Sequence, residues 1–303
     1  MSVVVSKLTK AFGEQKAVNN ISFEAKPGEI VGFLGPNGAG KSTTMKITTG
    51  YLSPTEGTVQ VCGADVTENS MDVRKNIGYL PEHNPLYLDM YIKEYLRFIG
   101  SLHGLKGKKL KQRIEDMVEL CGLQREQHKK IGAISKGYRQ RVGLAQSLIH
   151  DPPVLILDEP TSGLDPNQIV EIREVIRNIG QDKTVIFSTH IMQEVQAMCN
   201  RVIIINLGQL VADGDVDSLK AMQNQANVFI TEFKEDIDTQ LVADLEGVTN
   251  VEALGDHKYK VYANKEVDVR PTMFELAKTH SWTLVGLQQQ ENTLEDVFQN
   301  LTK

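Results

Sequence analysis

The sequence predicts an α/β fold followed by a small α+β unit, and three observations predict it. Short apolar runs of the kind that parallel sheets bury recur between helix-like segments. A glycine-rich turn stands directly between one such run and the helix after it. Beyond residue 219 the composition changes to small, amide and acidic residues. At 303 residues the chain is long enough for two domains with separate cores, and 41% hydrophobic against 24% charged residues excludes a disordered or fibrous chain.

Taken in order, residues 3–8 and 15–23 read as strands connected through Phe12-Gly13. Residues 29–34 form an apolar run ended by Gly35-Pro36, a buried strand entering a turn. A helix is expected over 41–50, stopped by Gly50. Between 86 and 122 the period becomes helical, with Tyr95, Phe98, Ile99 and Leu102 on one face, so an all-helical insertion is expected at about residues 84–150. Buried strands return at 154–157, 185–187 and 202–206. Residues 1–218 are therefore read as one domain, 219–227 as a linker and 228–303 as a second domain. In the latter, 228–233 and 258–263 alternate as strands, 239–245 and 272–279 look helical, 284–288 reads as a last strand and 293–301 as a terminal helix. Strand-helix-strand-strand-helix-strand suggests a ferredoxin-like unit.

The formal charge of −6 is unevenly spread. Residues 221–303 hold 7 Lys/Arg and 14 Asp/Glu, a net −7, which leaves 26 and 25, a net +1, for the first 220. Net acidity argues against a nucleic-acid partner, which would need a basic face. Cys62, Cys121 and Cys199 lie far apart and in no CxxC pair, so neither a disulfide framework nor a zinc site is expected, and a reducing cytosol is the natural compartment. No apolar run approaches the ~18 residues of a membrane span, and the first ten residues lack the apolar core of a signal peptide.

Gly35-Pro36-Asn37-Gly38-Ala39-Gly40-Lys41-Ser42 fits the phosphate-loop pattern G-x-x-x-x-G-K-[ST], and Thr43 carries it into the helix. The glycines let backbone N–H groups approach phosphate oxygens, and the helix N-terminus favours an anion. Lys41 is expected to reach the β- and γ-phosphates and Ser42 to ligate Mg²⁺. Guanine specificity would want N-K-x-D. Asn264-Lys265 is followed by Glu266-Val267 and lies in the other domain, so ATP is the expected nucleotide. The run Val154-Leu155-Ile156-Leu157 ends in Asp158-Glu159. Alone, two acids after a strand are usually a solvated strand end; behind a phosphate loop, Asp158 would orient Mg²⁺ and Glu159 would polarise the attacking water.

Around these acids stand Ser135-Lys136-Gly137-Tyr138-Arg139-Gln140-Arg141, Pro160-Thr161-Ser162-Gly163-Leu164-Asp165 and Phe187-Ser188-Thr189-His190. Over residues 1 to about 218 this ordered set resembles the ATP-binding subunits of ABC transporters. The wording of 77–87, 127–133 and 135–152 is similar to the gliding-motility-associated ATPase subunits of ABC-2-type exporters, and the ending Thr293-Leu294-Glu295-Asp296-Val297-Phe298 to the tail of many ABC-2 ATPases. The resemblance implies a phosphate-loop NTPase core with a helical insertion, and an ATPase subunit that forms a homodimer on binding ATP. It also implies separate transmembrane permease subunits and a place on the inner face of the cell membrane. Phe12 stands where the family stacks adenine, with core packing as the alternative. His190 stands at the switch position that senses the γ-phosphate. Ser135, Lys136 and Gly137 correspond to the signature that caps ATP on the partner subunit, and Ser162 and Asp165 to the loop at the dimer contact. Two departures bear on function. Lys136-Gly137-Tyr138 replaces Gly-Gly-Gln, and Glu82 stands for a metal-sensing Gln, a change that should raise dependence on Mg²⁺.

Other features are weaker. Lys106, Lys108, Lys109, Lys111 and Arg113 could meet lipid head groups or form a solvated helix face. Residues 86–95 are expected to line the groove that accepts a permease helix, or else to be core. Trp282 is expected to be packing. The rival function is a soluble ABC-type ATPase acting on ribosomes or DNA; a second is a nucleotide-binding regulator that does not hydrolyse, which Glu159 and His190 argue against.

Overall fold

β1 (Val3–Phe12) and β2 (Gln15–Ala25) mix buried and exposed side chains and pair antiparallel across the left-handed turn at Gly13. The computed structural model describes residues 2–222, 226–290 and 298, which divide into two units after Val216. β3 (Ile30–Leu34) follows, then α1 (Lys41–Thr48). Next come β4 (Glu56–Val61), β5 (Ala64–Asp65), α2 (Ser70–Asn76) and β6 (Ile77–Leu80). The first sheet runs β2-β1-β4-β5 and is antiparallel. The sequence reading assigns no strand to 56–61, although Val59 and Val61 alternate with exposed residues there.

The helical insertion comprises α3 (Ile92–Leu102), α4 (Gly107–Leu120), a single 3₁₀ turn at Ile131–Ala133 and α5 (Lys136–Leu148). Tyr95 and Leu96 face inward, whereas Phe98 and Leu102 are exposed, so the expected apolar face is only partly buried. Arg113 donates to the Leu148 and Ile149 carbonyls at 2.8 and 3.2 Å and so satisfies the end of α5, while Lys106, Lys108, Lys109 and Lys111 are exposed.

β7 (Val154–Asp158), α6 (Pro166–Ile179), β8 (Thr184–Thr189), α7 (Met192–Met198), β9 (Arg201–Asn206) and β10 (Gln209–Asp215) complete the first unit. Its second sheet runs β10-β9-β3-β8-β7-β6, parallel except at the β10 edge. Val154, Leu155, Ile156 and Leu157 are all fully buried, each worth about 1.5–3 kcal/mol of transfer free energy. With both faces covered, the strand reads as a continuous apolar run and not an alternating one. The order β3-β8-β7-β6 sets the carboxyl ends of four parallel strands side by side, about 4.8 Å apart.

The expected linker is not wholly irregular. α8 (Val216–Met222) begins directly after β10, with Asp217 in its first turn and Val216 and Leu219 buried. Residues 223–225 lie outside the described residues. The second unit contains β11 (Ala226–Phe233), α9 (Thr239–Ala243), β12 (Val248–Gly255), β13 (Lys258–Asn264), α10 (Arg270–Thr279) and β14 (Leu284–Gln290). The sheet order β12-β13-β11-β14, antiparallel throughout, is the split-βαβ, ferredoxin-like arrangement. Phe229, Phe233, Tyr259 and Val261 centre its core, and Trp282 packs edge-on to Phe233 at 5.9 Å between ring centroids. The expected helix at 293–301 lies outside the described residues, apart from Phe298. Among the described residues no helix is long and apolar enough to cross a membrane.

Candidate active site

The loop after β3 owes its shape to glycine. Gly38 and Gly40 have φ of +80° and +109°, and a Cβ on Gly40 would run into the Ala17 carbonyl of β2. The loop thus turns tightly at the N-terminus of α1, where an anion is favoured. The Lys41 ammonium donates to the Gly35 and Pro36 carbonyls at 2.7 and 3.2 Å and lies 3.6 Å from Glu159. Burial holds its pKa below the usual lysine value, and the negative charges of Glu159 and Asp158 oppose that shift. A buried cation of this kind gains from the further negative charge of a polyphosphate.

Asp158 and Glu159 arrive at the end of β7, one strand from β8. Asp158 accepts from Ser42 Oγ at 3.0 Å and from Ser188 Oγ at 2.5 Å. A hydroxyl and a carboxylate oxygen therefore converge beside the loop, hard donors that suit Mg²⁺. Among the described residues no cluster of three or more His, Cys, Asp or Glu forms a metal cage. The residues fit an ion that takes its remaining ligands from phosphate and water. Glu82, after β6, is exposed and lines the same cavity.

Glu159 has φ of +50°, a conformation that costs a non-glycine residue about 1–3 kcal/mol. Its N–H donates to the Ser188 carbonyl and hydroxyl at 3.2 and 3.1 Å, which holds the turn. The carboxylate oxygens lie 3.1 and 3.0 Å from His190 Nδ1, within reach of an Nδ1–H donor. The His190 side chain is 49% exposed and that of Glu159 8%, so the imidazole forms the outer side of the pair.

A cavity of about 460 Å³ is lined by Asn37, Lys41, Ser42, Thr43, Glu82, Glu159, Ser162 and His190. Phe12 does not line it; the ring is 53% exposed at the end of β1, with the Lys10 ammonium 5.2 Å from its centroid. Ser135, Lys136, Gly137 and Asp165 are also absent from the lining. Ser135 instead caps α5 by accepting from Tyr138 N–H at 3.4 Å, and Asp165 caps α6 by accepting from Gln168 N–H at 3.0 Å. The two motifs nevertheless touch within the chain: a Cβ on Gly137 would meet the Gln168 side chain, and one on Gly163 the Lys136 ammonium.

Comparison with known proteins bears on this site. The ABC transporter family model matches residues 18–162, and a shorter AAA-domain model, described as a putative AbiEii toxin of a type IV toxin–antitoxin system, matches 131–195. An uncharacterized ABC transporter ATP-binding protein of Bacillus subtilis, YxlF, is 38% identical over 306 residues, spanning 97% of each chain. The chain belongs to the ABC transporter ATP-binding proteins. Nod factor export ATP-binding protein I of Ralstonia nicotianae is 33% identical over 98% of this chain and 92% of its own. A solved ATP-binding cassette, a dimeric post-hydrolysis state bound to ADP and Pi, matches 70% of this chain and 98% of its own with a TM-score of 0.65 and 25% identity. The protein is thus an ATP-hydrolysing ABC subunit with the phosphate-loop fold expected from the sequence.

Within this ABC subunit, sequence reasoning missed the groups that support the acids. Ser188 is fully buried and bridges Asp158 to the Glu159 amide. Its signal was available: a hydroxyl in an apolar strand must find partners. Residues 86–95 divide between the two alternatives: Leu86, Ile92 and Tyr95 are core, and Tyr87, Leu88 and Tyr91 are exposed. A surface groove of about 640 Å³ is lined by Ile99, Leu102, His103, Tyr51, Tyr79 and His150.

Proposed function

We propose that this subunit hydrolyses ATP to drive export through a separate membrane permease, working as a homodimer on the inner face of the membrane. The observation that carries the reading is the sharing of side chains by two cavities. Tyr51, Tyr79 and Gln146 line both the groove beside α3 and a cavity of about 400 Å³ that reaches Glu82, Ser42 and Asp158. A permease helix seated in the groove would press on the side chains that border the catalytic carboxylates. The export name of the Ralstonia relative supports the direction of transport, and the wording of residues 77–87 and 127–133 supports a gliding-motility-associated exporter.

In the reaction, the phosphate-loop amides, Lys41 and Thr43 bind the polyphosphate, and Phe12 offers a free face for adenine. Glu159 accepts a proton from the attacking water, and its left-handed turn aims the carboxylate at the loop. His190 steadies that carboxylate from the open side of the cavity. Lys41 offsets charge that develops on the phosphoryl oxygens. Mg²⁺, held by Ser42 and Asp158 with Glu82 nearby, would neutralise the phosphates when bound. Ser135, Lys136 and Gly137 would cap the nucleotide of the partner subunit, the role that their resemblance to the family signature implies.

The test is full-length Glu159→Gln, isolated from native membranes with Mg·ATP. The expected result is no measurable turnover, an ATP-stabilised dimer and co-purification of a multi-span membrane protein. Normal hydrolysis would overturn the role of Glu159. Co-purification with ribosomes or DNA would overturn transport.

A further inference from the structure

We propose that Glu194 is a positioning residue for hydrolysis, holding in fixed relation the two loops that carry Glu159 and His190. The inference rests on the reading that those two residues carry the reaction. Glu194 lies on α7 and is fully buried. One carboxylate oxygen accepts from Thr161 Oγ1, and the other from Thr189 Oγ1 at 2.6 Å. Thr161 stands two residues after Glu159, and Thr189 one residue before His190. A single carboxylate therefore ties the flank of each functional side chain, one oxygen to each loop.

The surroundings argue that this tie does more than fill space. A fully buried carboxylate is costly unless paired, and an apolar side chain of similar volume would pack α7 at less cost. The Arg173 guanidinium of α6 stands 4.0 Å away, so the charge is balanced from a third element, the helix that follows the Ser162–Asp165 loop. Thr189 Oγ1 also accepts from Ile191 N–H at 3.0 Å, which fixes the chain on the far side of His190. Thr161 is 2% exposed and its loop is closed by Ser162 N–H donating to the Glu159 carbonyl at 3.1 Å. The dyad contact of 3.0–3.1 Å spans two loops that no strand pairing joins beyond Asp158 and Ser188. Loss of the Glu194 tie leaves the two loops joined only through the Glu159 N–H contacts to Ser188 and the dyad itself, so the flanks at Thr161 and Thr189 are no longer held to one another.

The experiment measures kcat and KM for ATP in the full-length chain for Thr161→Val, Glu194→Gln and Glu194→Leu, alone and combined with His190→Ala. Thr161→Val is nearly isosteric and removes one donor only, so it reports even if Glu194→Leu fails to fold. Expected is a fall in kcat of about ten- to a hundredfold for Thr161→Val and Glu194→Leu, the scale on which small misplacements act. Glu194→Gln, which can still bridge both hydroxyls, is expected to retain most of the activity. KM should stay within about twofold, because no phosphate-loop contact is touched. On His190→Ala the further loss from Thr161→Val should shrink to about threefold or less, the non-additivity of groups acting through one another. Wild-type kcat in Thr161→Val, or a full additive loss on His190→Ala, would overturn the proposal. Normal turnover in both His190→Ala and Glu159→Gln would instead overturn the dyad reading beneath it.

Discussion

Ser188→Ala removes one buried hydroxyl and should weaken both acids at once. In the native chain that oxygen donates to Asp158 at 2.5 Å and accepts from the Glu159 amide at 3.1 Å. After the change Asp158 keeps only Ser42 on the same oxygen, and the Glu159 amide keeps only the Ser188 carbonyl at 3.2 Å. A hydrogen bond to a charged group contributes about 1.5–3 kcal/mol and a neutral one about 1, so roughly 2.5–4 kcal/mol of stability should go. For a unit of about 216 residues that is a fall in Tm of about 5–16 °C. The left-handed turn at Glu159 loses one of its two anchors, so kcat should drop about ten- to a hundredfold. KM for ATP should hardly move, because the Lys41 contacts run to Gly35 and Pro36. Calorimetric melting and steady-state ATP hydrolysis on the same preparation decide it. A Tm within about 1 °C of the parent together with unchanged kcat would refute the reasoning, since 1 °C corresponds to well under 1 kcal/mol.

Lys41→Ala deletes the buried cation of the cavity and should weaken ATP binding about a hundredfold or more by titration calorimetry, and an unchanged Kd would remove the phosphate-loop assignment. His150 carries a pH dependence. Burial first, and then the stacked His103 ring at 3.8 Å, depress its pKa to about 4. The unfolded chain takes a proton near pH 6.5 that the folded chain refuses down to about 4, so stability is whole above about 6.5 and falls as the pH drops through that window. Between pH 7.5 and 5 the loss is about 2 kcal/mol. Urea unfolding should show it in the parent and lose most of it in His150→Gln, which can still donate to the Ile77 carbonyl; an equal pH slope in both would contradict the assignment.

Much of the fold was legible because its strongest signals are contiguous. The run from Ile30 to Leu34 is wholly apolar and ends in glycine, and the α1 helix begins at once with Lys41 and Ser42. Val154 to Asp158 carries the same signature with an acid at its end. The antiparallel β4 was missed because only two of its six side chains are buried. β12 was counted in the pattern but not located: it is an edge strand with most side chains exposed, so burial imposes no alternation on it. α8 was not foreseen because amide-rich composition marks a boundary without saying whether a helix runs into it.

The sequence by itself determined the chemistry of nucleotide binding. A phosphate loop is a backbone shape, and a few glycines in a row followed by Lys41 and Ser42 encode that shape locally. It also determined that acids, a histidine and a signature accompany the loop, since each motif is a short contiguous string. Only the tertiary structure decided what those strings do to one another. The β3-β8-β7 strand order brings Ser42 to Asp158 across 116 residues of chain, His190 to Glu159 across 31, and Thr161 to Glu194 across 33. Such contacts follow from which strands are neighbours and which side chains are buried between them. That is a property of the packed sheet, not of any window along the chain.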